Sequence, residues 1–168
     1  MATFLLAAYN QRSMRSLSVF LCALPLLGQS VRVSSGSAAP GEKLAIEIAL
    51  DSPSGKEPLA LQWEATFSGE ALKLDETGPV AGPAARAAGK GLTCAPKKTS
   101  PGPSKWVCIL AGGQKPIGNG VVALLRFEVQ AHARSGSQPI VVDNLLGVSA
   151  ALKKAPILRA EGAVRVTR

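Results

Sequence analysis

At 168 residues, with 46% hydrophobic side chains, the chain is long enough for one domain with a real core and a short segment to spare. Aromatic residues make up only 4%, so Val, Leu, Ile and Ala must build that core. The net charge is +8, but apart from the pairs Lys97-Lys98 and Lys153-Lys154 the basic residues are scattered singly. That pattern argues against a nucleic-acid surface, which concentrates charge and interleaves aromatics for stacking.

Residues 1–30 read as a cleavable secretion signal. Arg12 and Arg15 supply a positive start, Leu17 to Leu27 is an apolar run of 11 residues, and Gly28-Gln29-Ser30 places small residues where a signal peptidase reads. The run is too short to span a bilayer as a helix. Met14 offers a second start, from which the leader has ordinary proportions. Cys22 follows Phe20-Leu21 rather than small residues, so it does not read as a lipidation site. The expectation is cleavage near Ser30 and a domain over residues 31–168.

Beyond the leader, apolar residues recur every second position. Leu44, Ile46, Ile48 and Leu50 share one side with Glu47 opposed. Leu59, Leu61, Trp63, Ala65 and Phe67 share another, against Gln62, Glu64 and Thr66. Val121, Ala123, Leu125, Phe127 and Val129 alternate with Arg126, Glu128 and Gln130. Period two is the signature of strands with one buried and one wet face. Weaker strands are expected at Val31–Ser35, Leu72–Leu74, Lys90–Cys94, Lys105–Ala111, Pro139–Asp143 and Ala160–Thr167. Turn residues fall between them, including Pro40-Gly41, which suits the centre of a type II turn. Gly78–Gly89 reads as a loop or as a short helical turn near Ala84–Ala88. About nine short strands so punctuated make a β-sandwich or jelly roll.

With the leader removed, Cys94 and Cys108 remain, and an even count in an exported chain points to a disulfide. Closing about 15 residues is worth roughly 3 kcal/mol in the chain-entropy model. Groups that would do catalysis are not gathered in the sequence. His132 is the sole histidine and sits before a turn sequence. No GxSxG elbow, P-loop or alternating Asp/Asn calcium loop occurs, so no enzyme, metal or cofactor is expected. Trp106 is the one ambiguous ring. It reads as a half-buried strand-edge residue or, beside Lys97 and Lys98 on the adjoining loop, as a contact residue.

The segment from Val31 through Pro40-Gly41 to Leu50 resembles the opening of cohesin domains, where a first strand leads through a Pro-Gly turn into an alternating second strand. Leu61-Gln-Trp-Glu-Ala-Thr-Phe67, Gly120–Val129, Pro139–Asn144 and Gly162–Val166 are similar to later cohesin strands. The resemblance covers residues 31–168 and implies a nine-stranded jelly-roll sandwich. It also implies a non-catalytic module that binds another extracytoplasmic protein, as cohesins bind dockerins through one sheet face. Ser68 stands where the family often has Asp, and the Cys94–Cys108 segment is not a general cohesin feature, so no recognition residue carries over singly. Carbohydrate binding by a sandwich of the same class is the second expectation.

Overall fold

The computed structural model describes residues 28–97 and 102–168. Most of the signal segment, and Lys98, lie outside the described residues. The elements are β1 (Ser30–Val33), β2 (Gly36–Ala38), β3 (Lys43–Asp51), β4 (Ala60–Phe67), β5 (Leu72–Leu74), β6 (Val80–Ala81), α1 (Pro83–Ala87), β7 (Gly91–Lys97), β8 (Ser104–Ala111), β9 (Gly120–Val129), β10 (Gly136–Val148), β11 (Lys154–Pro156) and β12 (Ala160–Val166). All nine expected strands are present, and β2, β6 and β11 are short additions. The Gly78–Gly89 stretch resolves into β6 and the single turn of α1.

Two sheets pack face to face. The smaller runs β1-β3-β9-β5, with β6 also pairing β9. The larger runs β2-β12-β10-β4-β8-β7, with β11 also pairing β10. The opening strand is divided between them: β1 pairs antiparallel with β3, and β2 pairs parallel with β12. The alternation seen in sequence becomes the filling. Ile46, Ile48 and Leu50 face Leu61, Trp63 and Ala65 across the sandwich, all at most 1% exposed. Phe67 of β4 meets Phe127 of β9 edge to face, centroids 4.9 Å apart, joining the sheets.

Several local devices hold the strands in phase. In the turn after β2, Glu42 N–H donates to the Ala39 carbonyl (3.0 Å) and Gly41 has φ +86°, the type II geometry expected of Pro40-Gly41. Asn119 stands in for a missing strand residue: its Oδ1 accepts from Ser52 N–H (2.7 Å) and its Nδ2 donates to the Ser52 carbonyl (3.1 Å).

One parity expectation fails at a bulge. The β3–β9 register slips between Ile48 and Ala49, so Ile48 opposes Ala123 while Ala49 opposes Val121. Val122 therefore points into the core, fully buried, and Val121 turns outward to line a shallow depression with Arg32, Glu47 and Ala49. An extra residue in one strand inverts every face assignment beyond it. A second bulge lies in β10 between Asp143 and Leu146, with Asn144 at φ +49°. The Asp143-Asn144 pair that looked like a strand end is this bulge, and the strand continues to Val148.

Candidate binding face

The four strands β10, β4, β8 and β7 present a continuous outer face. Register fixes its occupants: Thr93, Ala95 and Lys97 from β7 lie opposite Ile109, Val107 and Lys105 of β8. Those in turn oppose Gln62, Glu64 and Thr66 of β4. Asp143 of β10 stands directly across from Glu64, Val141 from Thr66, and Leu146 from Gln62.

Glu64 was expected on the wet side of its strand. It is on the outer side, yet only 8% exposed, because two lysines close over it. Lys97 Nζ donates to Glu64 Oε1 at 2.8 Å, reaching across β8, and Lys105 Nζ lies 3.3 Å from Oε2. The hydrogen bond from Lys97 holds the Glu64 carboxyl below its ordinary range; partial burial opposes this, and Lys105 adds to it. Its neighbour Asp143 has no such clamp. Asp143 Oδ1 is buried without a hydrogen-bond partner, as is Thr66 Oγ1. On the same face, one strand in from the sheet edge, Ile109 is 47% exposed, a large apolar side chain on a strand rather than in a loop. The face thus combines an exposed apolar residue, a neutralised acid and an acid with one buried oxygen lacking a donor.

The residues singled out in sequence do not converge. Lys97 belongs to this outer face. Trp106 opposes Pro96 on one side and Ala65 on the other, so it takes the inner parity and packs half-buried against the core. The strand-edge reading of Trp106 is the one the fold realises. Adjacent residues of a strand face opposite ways, so Lys105 and Trp106 cannot act on the same surface. Cys94 and Cys108 are directly opposed in β7 and β8 and form a disulfide, Cα atoms 4.1 Å apart. Cys108 is fully buried, so the bond sits on the core side of the hairpin. Ile109, Glu64 and Asp143 were not singled out. The signal for Ile109 was an apolar residue that, with Val107, is out of phase with Cys108 and Leu110. Nothing in sequence announced that Asp143 would lie beside Glu64.

His132 is exposed in the turn after β9, and no three His, Cys, Asp or Glu residues cluster as metal ligands among the described residues. The described aromatic rings, Trp63, Phe67, Trp106 and Phe127, all belong to the core or pack against it.

A two-sheet sandwich, antiparallel except where β2 meets β12, with a divided first strand defines a class, and solved structures narrow it. The chain superimposes on a cohesin in the Coh-OlpA-Doc918 complex from Clostridium thermocellum with a TM-score of 0.67 at 16% identity, covering 83% of this chain and 99% of that one. The third cohesin of ScaC from Acetivibrio cellulolyticus, solved with the ScaB dockerin, gives 0.67 at 14%, covering 83% and 99%. A non-cellulosomal cohesin from the archaeon Archaeoglobus fulgidus gives 0.64 at 9%, covering 84% and 92%. The fold of this chain is the cohesin fold. No family model and no curated protein matches it by sequence.

Proposed function

We propose that the chain is a non-catalytic, extracytoplasmic binding module that engages a protein partner through the outer face of β10-β4-β8-β7. The observation that carries this reading is that one outer sheet face holds both exposed Ile109 and an Asp143 carboxylate whose buried Oδ1 has no hydrogen-bond partner. An apolar anchor on the same face as a buried acceptor suits a partner that brings an apolar contact and a hydrogen-bond donor such as Lys, Arg or an amide. Two of the structural neighbours described above were solved as complexes with dockerins, which supports a protein ligand. The disulfide and the signal-like run of residues 17–27 support an oxidising, exported setting. Carbohydrate recognition by flat aromatic faces gains no observation, since the described rings all turn inward or pack on the core.

The test is capture of partners from the native secreted fraction on the immobilised chain, with polysaccharides offered in parallel. A defined protein should be retained. Ile109→Lys and Asp143→Ala should each weaken its binding by about 2 kcal/mol, roughly thirtyfold in Kd, while Trp106→Phe leaves it unchanged. Saturable retention of a polysaccharide with no protein ligand would overturn the proposal.

A further inference from the structure

The two most exposed large apolar residues do not lie on the face just described. Leu152 is 79% exposed and Leu158 is 84% exposed, and both flank β11. The turn joining β10 to β11 is closed by Ser149. Its N–H donates to the Lys153 carbonyl (3.0 Å), its carbonyl accepts from Leu152 N–H (2.9 Å), and its hydroxyl accepts from Lys153 N–H (3.3 Å). This is a three-residue hairpin loop, Ala150-Ala151-Leu152, and such loops end on a left-handed residue that is normally glycine. Leu152 occupies that position with φ +56°. A leucine there carries backbone strain and gains nothing by burial, so fold stability does not account for it.

The rest of the ribbon has matching character. Ile157 turns into the core, and Leu158 after it turns out. Lys153, Lys154, Ala155 and Pro156 between the leucines are all exposed. Lys153 and Lys154 form no ion pair among the described residues, whereas Arg159 pairs with Glu161. Near-complete exposure of both leucines means no apolar rim surrounds them. A protein partner would have to supply a pocket for each, whereas a bilayer interface takes an isolated protruding leucine directly and draws the flanking lysines to its headgroups.

We infer that the Leu152–Arg159 ribbon is a membrane-surface contact, seating its leucines in the interface of an anionic bilayer with Lys153 and Lys154 at the headgroups. The test is co-sedimentation of the full chain with phosphatidylcholine vesicles containing phosphatidylglycerol, so that any effect of the apolar run 17–27 is common to parent and variants. The parent should bind, and raising salt to about 0.5 M should release most of it. Leu152→Gly together with Leu158→Ser should lower the partition coefficient tenfold or more. Lys153→Glu with Lys154→Glu should lower it by at least the fivefold per charge that each lost lysine represents, about 1 kcal/mol at a charged surface. Leu152→Gly relieves the strained position, so it should keep or raise the melting temperature, and lost binding then cannot be blamed on unfolding. Ile109→Lys should bind vesicles as the parent does, which separates this surface from the protein-docking face. Absence of parental binding, or unchanged partition of the double leucine variant, would overturn the inference.

Discussion

Two buried charges show how single residues set the pH response. Glu64 has a folded pKa below its ordinary value because Lys97 hydrogen-bonds its ionised form. The stability this contributes is complete above the unfolded pKa, near 4.5, and is lost as pH falls through the lower folded value. Lys97→Met should therefore flatten the acid limb of a stability–pH curve measured by denaturant titration. Lys90 works in the opposite sense. It is 5% exposed, and its Nζ donates to the Gly113 carbonyl at 3.1 Å. Burial lowers its folded pKa, so the unfolded chain binds more protons and stability rises with pH between the folded value and 10.5. Lys90→Met should remove that alkaline rise.

Steric fit decides other positions. A methyl group on Gly162 would stand 2.2 Å from the Ser34 carbonyl oxygen, at the point where the chain crosses from β1 to β2. Gly162→Ala should cost about 1–3 kcal/mol by displacing that crossing. Trp63, 1% exposed, is the largest fully buried side chain, and Trp63→Ala should cost about 3–5 kcal/mol in a denaturant melt.

Among the elements, the β7–β8 hairpin is the one whose behaviour hangs on a covalent tie. β7 is the edge of its sheet and pairs only with β8. It is largely exposed, so few apolar contacts hold it once the disulfide is cut. Reduction should release β7 before the rest of the sandwich opens. Hydrogen exchange should show lost protection at 91–97 while β4 and β9 stay protected, and global stability should fall by about 3 kcal/mol. The strands themselves were visible in sequence wherever one face is buried and the other wet, as in β3 and β4. Their phase was not visible where a bulge intervenes. The run Val121-Val122-Ala123 is apolar throughout, and only pairing with Ala49 decides which valine turns inward. Asn144 carried a signal of a different kind, since asparagine tolerates the left-handed conformation that the β10 bulge uses.

At the scale of the molecule, the sandwich was legible because nine short alternating segments with turn residues between them have few other ways to bury their apolar faces. The binding face was only half legible. Lys97 was singled out as a surface cation, but its role over Glu64 depends on β7, β8 and β4 lying side by side, and strand order leaves no local trace in sequence. Trp106 was weighed as a contact candidate by residue type alone, without its parity. Placing a ring beside Lys105 in the chain places it on the other side of the sheet.

The divided first strand has a mechanical meaning. β2 runs parallel to β12, with Gly36, Ser37 and Ala38 beside Val164, Arg165 and Val166. The first and last strands of the sandwich therefore point the same way, and the chain enters at one pole and leaves at the other. A pull on the two ends acts along these strands and loads their shared bonds together in shear, instead of peeling them apart singly. Resistance of the fold to such a pull rests on this short parallel ladder of three residue pairs.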